Sequence, residues 1–132
     1  NGVEKDYKKS FDYFQKSAEL NDSLSLLSIG IYYENGIGVE KNMSKAIEYY
    51  TKSSELNDSN GFRRLALCYE KGKGVKQDYL KAMEYYKKAA DLGDDDSLYY
   101  LGTYYENGYG VRKNLRTAFD YYKKSADLGD SI

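Results

Sequence analysis

Apolar positions along the chain recur at two nested spacings. Within short windows they fall at i, i+3, i+4 and i+7, which is one face of an α-helix. The first window is Leu26, Ile29, Gly30 and Tyr33, followed by Phe62, Leu65, Ala66 and Tyr69 and then by Leu98, Leu101, Gly102 and Tyr105. These predict a helix A over 24–35, 60–71 and 96–107. A second face, Ala46, Ile47, Tyr50 and Ser54, has copies in Ala82, Met83, Tyr86, Ala90 and in Ala118, Phe119, Tyr122, Ala126. It predicts a helix B over 43–56, 79–92 and 115–128, with a further copy over 7–20. The whole pattern returns every 36 residues, as Val3, Val39, Val75 and Val111 show, and so do Tyr13, Tyr49, Tyr85 and Tyr121. A fixed period of this length marks a stack of two-helix units. The position of Gly30, Ala66 and Gly102 stays small, so another helix must approach closely there.

Polar punctuation agrees with this division. Asp6, Asn42, Asp78 and Asn114 stand where helix B needs an N-cap oxygen, and Asp22, Asp58, Asp94 and Asp130 stand ahead of helix A. Asn21, Asn57, Gly93 and Gly129 follow helix B, and Asn and Gly are the residues that tolerate a left-handed C′ position. Between A and B lie YENGIGVEKN, YEKGKGVKQD and YENGYGVRKN, each with a Gly-x-Gly. A dinucleotide fingerprint needs a preceding strand and a third glycine three residues on. Here Lys41, Gln77 or Lys113 holds that place and helices flank the loop, so the glycines form a hinge.

Composition narrows the function classes. Twenty basic residues face twenty-one acidic ones, for a net charge of −1, without the basic surplus that gripping nucleic-acid phosphates requires. The chain has no histidine, which removes the commonest general base and metal ligand. No metal set and no cofactor motif stands out, so neither is expected. Cys68 alone can form no internal disulfide. No apolar run reaches the ~20 residues of a membrane helix. Seventeen tyrosines suit thin elements, since the ring packs while the hydroxyl stays at a wet edge.

Leu-Gly-x-x-Tyr in helix A with Ala-x-x-x-[Phe/Tyr] in helix B belongs to the tetratricopeptide pattern. It is met here by Ile29-Gly30 with Tyr33, Leu101-Gly102 with Tyr105, Ala46 with Tyr50, Ala82 with Tyr86 and Ala118 with Tyr122. A repeat two residues longer than the ~34 of that pattern, with a Gly-x-Gly-Val hinge and the helix KAMEYYKKAADLG (Lys81 to Gly93), closely resembles the Sel-1-like repeat. The resemblance spans essentially the whole chain, as a partial repeat over 1–22 and full repeats over 23–58, 59–94 and 95–130. Ser23 and Ser25 depart from common alanines and Tyr49 from a common tryptophan. The proline that often follows the hinge valine and the cysteine pairs of secreted members are missing. The resemblance implies an all-α, right-handed superhelix of antiparallel helix pairs, an adaptor role and no catalytic residue.

In such a stack the variable positions on a shared face carry function. The resemblance implies that helix A lines the concave surface. Its variable residues are apolar in the first copy (Leu27, Ile31), basic in the second (Arg63, Arg64, with Leu67) and aromatic in the third (Tyr99, Tyr100, with Thr103). Together they are the expected site for a protein or peptide partner, against the plainer reading that Leu27 and Ile31 only pack and the arginines are solvated. Arg and Tyr are enriched at binding hot spots. An RNA-reading helical repeat, or a structural or regulatory segment of a larger enzyme, is the alternative.

Other features read as structural. Asp94-Asp95-Asp96 lacks the glycine and distant glutamate of a calcium loop and reads as an N-cap cluster. Glu34, Glu70 and Glu106 are expected to accept amide hydrogens from the hinges. Cys68, in the place of Tyr32 and Tyr104, reads as a half-buried inert thiol. The chain opens with an unpaired helix B and stops where another helix A should start, so further repeats or end-to-end self-association are expected. A cytoplasmic location is weakly favoured over the secretory lumen or export, where the sequons at Asn21, Asn42 and Asn57 would matter.

Overall fold

The computed structural model describes residues 2–130, with the side chain of residue 130 left out. All regular structure among the described residues is helical: α1 (Gly2–Ala18), α2 (Ser23–Asn35), α3 (Met43–Glu55), α4 (Ser59–Lys71), α5 (Tyr79–Asp91), α6 (Asp95–Asn107) and α7 (Leu115–Asp130). Helix A is thus α2, α4 and α6, each beginning one residue before its predicted start, and helix B is α1, α3, α5 and α7. The chain divides into two compact units, one ending at Gly61 and the other beginning at Phe62.

In the first unit α2 packs against both α1 and α3. Leu26, Ile29, Ala46 and Tyr50 are buried, as their periodicity predicts, and Phe11 of α1 joins them with its ring edge-on to Tyr33 at 5.4 Å. Gly30 is small because the ring of Tyr50 lies over it: a Cβ there would meet Cε1 at 2.5 Å. The second unit has the same plan, with α6 packed on α5 and α7. Its core of Ala66, Ala82, Met83, Tyr86, Leu101 and Tyr104 draws on α4, α5 and α6.

Hinges and caps are built largely as the sequence predicts. All six hinge glycines have positive φ, from 66° at Gly36 to 74° at Gly108. Helix A carbonyls take the hinge amides, Ile37 N–H donating to Tyr32 O at 2.9 Å and Asn42 N–H to Tyr33 O at 2.8 Å. Asn42, Asp78 and Asn114 each accept the amide three residues on, at 3.0–3.1 Å. Asn21 and Asn57 have φ of 59°, and Gly93 has 95°.

Three expected caps differ. Asp22 takes the Ser25 hydroxyl at 2.6 Å and no helix amide, whereas Asp94 takes both the hydroxyl and the amide of the equivalent Ser97. Asp6 is inside α1, which already begins at Gly2, and Gly129 is inside α7. At the other hinges a preceding helix A carbonyl holds the chain out of helix until the cap residue. No helix A precedes α1 or follows α7 among the described residues to impose that turn. The cap expected of the Asp130 side chain lies outside the described residues.

Between α3 and α4 the backbones nearly touch. A Cβ on Gly61 would meet Ser54 N at 2.6 Å and the Ser53 carbonyl carbon at 3.0 Å, where no side-chain rotation can relieve it. Gly61→Ala is expected to lower stability by about 1–3 kcal/mol, read from the denaturation midpoint. Gly2→Ala, with nothing within 4 Å, should leave it unchanged.

Candidate functional site

The geometry that recurs in each repeat begins with a glutamate and a tyrosine sixteen residues apart. Tyr50 donates its hydroxyl to Glu34 at 2.7 Å, Tyr86 to Glu70 at 3.3 Å and Tyr122 to Glu106 at 3.4 Å. Glu70 also accepts the hydroxyl of Tyr104, from the next repeat, at 2.8 Å. These carboxylates were expected to hold the hinge amides. That expectation is corrected: the partners the structure gives them are tyrosine hydroxyls, and hinge amides such as those of Ile37 and Asn42 go to helix A carbonyls.

Tyr86 and Tyr104 are fully buried. Burial pushes both phenols well above the ordinary tyrosine pKa, and the neighbouring Glu70 carboxylate pushes them further. Removing a proton would place a phenolate beside a carboxylate in a dry site, so both hydroxyls stay donors. Tyr122 shifts the same way, from burial first and Glu106 second.

A second repeated cluster sits on the other edge of the helix pair. Tyr33 stacks on Tyr49 at 5.9 Å, Tyr69 on Tyr85 at 5.7 Å and Tyr105 on Tyr121 at 5.7 Å. Lysine ammoniums lie over these rings: Lys45 over Tyr33 at 5.4 Å and Lys52 over Tyr49 at 4.8 Å. Lys81 and Lys88 repeat this on Tyr69 and Tyr85. The spacing Lys-Ala-x-x-Tyr-Tyr-x-Lys therefore encodes a ring pair with a cation on each face. In the third copy Thr117 replaces the first lysine, leaving Lys124 over Tyr121.

The eight residues expected on the helix A face are placed as follows. In the first unit Leu27 is buried, with 8% exposure, and Ile31 is half-buried. In the second, Arg63 gives its guanidinium to Asp94 at 3.1 Å and Asp96 at 3.0 Å, which ties α4 to the start of α6. Asp94 accepts the Ser97 amide as well, so the acidic triplet is an N-cap cluster with an arginine across it. The three carboxylates do approach one another within 4.8 Å, but Arg63 supplies the cation. Arg64 is half-buried and ion-paired with nothing among the described residues, and Leu67 packs at the edge of the core. Tyr100 stacks on Tyr86 at 5.0 Å and accepts, through its carbonyl, the Thr103 hydroxyl at 2.7 Å. Tyr99 is 53% exposed, its ring 6.1 Å from Tyr100 and 5.4 Å from Tyr122. The structure thus brings Tyr99, Tyr100 and Thr103 together and gives Arg63 a separate task. Cys68 is buried.

Helix pairs in tandem, each closed by the same carboxylate–phenol bond, define a helical-repeat protein. The family profile for the Sel1 repeat matches residues 1–22, 23–58, 63–94 and 95–130, and the chain belongs to the Sel1 repeat family. A Sel1 repeat protein from Oxalobacter formigenes superposes with a TM-score of 0.89 at 32% identity, over 94% of this chain and 51% of its own. The protective antigen c5321 of uropathogenic Escherichia coli, with an SLR fold, gives 0.84 at 35% identity, over 95% and 27%. Helicobacter pylori cysteine rich protein B gives 0.72 at 40% identity, over 96% and 91%. No curated protein sequence matches the chain. The chain spans about half the length of the Oxalobacter protein and about a quarter of the antigen. Together these matches place it in the all-α solenoid class. Sel1 repeats generally mediate protein interactions and are typically non-enzymatic. No helix among the described residues is long and apolar enough to cross a membrane.

Glu70→Ala strands two buried phenols and should lower stability by about 2–4 kcal/mol, whereas Glu106→Ala, which frees only the more exposed Tyr122, should cost under about 1 kcal/mol. Denaturant titration of the two variants checks this. The tyrosines also set an alkaline limit. Their folded pKa values are raised, so their contribution is present in full below the unfolded value of about 10 and lost as pH rises from there toward the folded values. Stability should be flat from neutral pH to about 10 and then fall, by up to about 2.7 kcal/mol per pH unit if Tyr86 and Tyr104 titrate together on unfolding. Replacing both with Phe should make that limb shallower, leaving the part due to Tyr85, Tyr121 and Tyr122.

Proposed function

We propose that this chain is a non-catalytic scaffold that takes a segment of a protein partner on its helix A face. The observation that carries the reading is Tyr99, a half-exposed ring beside Tyr100, which is itself fixed on Tyr86 and through it on Glu70. A large aromatic held in place and facing water loses little freedom on binding, which is the character of a hot spot. Arg64 and Thr103 supply a cation and a hydroxyl, and Leu67 an apolar border. Ile31 and the edge of Leu27 would serve the same purpose in the first unit. Arg63 acts by holding α6 in place, and its charge is shared with Asp94 and Asp96.

The test is capture of partners from source cells by the parent and by an Arg64→Glu, Tyr99→Ala variant, with proteins identified and their affinities then measured one by one. Both positions are free of ion pairs and deep packing, so the variant should melt with the parent. A bound protein should lose at least about tenfold in affinity. Equal affinity for both forms, or retention of RNA alone, would overturn the reading.

A further inference from the structure

Two clefts of the structure are the same cleft, two repeats apart. One lies between α1 and α3 and has a volume of about 550 Å³; the other lies between α5 and α7 and has about 720 Å³. Their floors are Leu26 and Ile29 in the first and Leu98 and Leu101 in the second, all from the helix A beneath. A tyrosine and an exposed leucine form one wall, Tyr49 with Leu56 and Tyr121 with Leu128. At the rim stand two carboxylates, Glu19 and Glu55 in the first cleft and Asp91 and Asp127 in the second.

In the first cleft the one lining lysine does not cancel that rim, whereas in the second Lys87 and Lys124 stand against the two aspartates. Lys52 lies over the Tyr49 ring and 3.7 Å from Glu48, and Lys124 lies over Tyr121. Neither Glu19 nor Glu55 forms an ion pair among the described residues. The second cleft carries Lys87 where the first has Gln15, so the first is the more acidic. The intervening repeat has Phe62 in place of the floor leucine, and that ring stacks on Tyr85 at 6.2 Å under the ammonium of Lys88. A single substitution found in the chain itself thus shows how the floor can be covered.

We infer that the cleft between α1 and α3 is a second binding surface, for an extended polypeptide segment in which an apolar side chain is flanked by lysine or arginine, and that its charge-balanced counterpart between α5 and α7 takes the same segment only weakly. The apolar group enters over the leucine floor against Leu56 and the Tyr49 ring, and the cations meet Glu19 and Glu55. This surface is made by helix B and does not depend on the helix A face.

The probe is acetyl-Gly-Lys-Leu-Lys-Gly-amide, titrated into ¹⁵N-labelled protein and followed by amide shifts. Saturable shifts are expected around Ala18, Asn21 and Leu56, with weaker ones around Ala90, Gly93 and Leu128. The same peptide with glutamates for its lysines should bind about fivefold more weakly or worse. Glu19→Lys with Glu55→Lys, both exposed and safe for the fold, should reverse that preference in the first cleft and leave the second unchanged. Leu26→Phe should close the first cleft alone, and Tyr99→Ala should alter neither. The inference is overturned by an absence of saturable shifts at both clefts, by shifts centred on Tyr99 and Tyr100, or by equal binding of the two peptides. Cleft shifts that follow protein concentration without peptide would also overturn it, by making a second copy the occupant.

Discussion

Glu70 receives two buried phenols, one from its own repeat and one from the next. A phenol hydroxyl buried without an acceptor would be costly. Glu70 meets that cost for both, as a charged acceptor that makes the burial of each ring tolerable. The bond from Tyr86 sets the angle of α5 on α4, and the bond from Tyr104 sets α6 on both. Within the second unit, Glu70 thus joins one repeat to the next, beside the Arg63 ion pairs and the shared apolar core.

Around that bond the repeat places parts whose variation is restrained for different reasons. The Gly30 and Gly102 positions stay small because a tyrosine ring lies on them. Lysines at the start and near the end of helix B cover the faces of the Tyr33–Tyr49 and Tyr69–Tyr85 pairs, so these cations belong to the packing of the helix pair. What remains free to differ is the outer edge of helix A and the lining of the helix B clefts. A frame fixed by buried phenols can therefore carry different contact residues in each copy without losing its geometry, which is what an interaction scaffold requires.

Helices, hinges and most caps were legible in the sequence because each depends on residues close in the chain. The left-handed turns at Asn21, Asn57 and Gly93 follow from residue type alone. Two further caps were not: Asp6 and Gly129 have the right identity, but the turn also needs a neighbouring helix A. The role of Glu70 escaped for a related reason. Its recurrence was plain, and so was the fixed interval of sixteen residues to a tyrosine, yet only packing shows which donor reaches it. Arg63 looked like a contact residue until α4 and α6 came together and set Asp94 and Asp96 across from it. Tyr99 and Tyr100, expected on the same face, do adjoin there, because neighbouring rings on one helix need no distant partner to meet.

The most direct measurement of the central bond is a double-mutant cycle between Glu70 and Tyr104, using Glu70→Gln, Tyr104→Phe and the pair, with stability read by denaturant titration. Because the pair is charge-assisted and buried, a coupling energy of about 1.5–3 kcal/mol is expected. A coupling indistinguishable from zero would contradict the account, since the repeats would then be held by apolar packing alone and Glu70 would be a bystander to it.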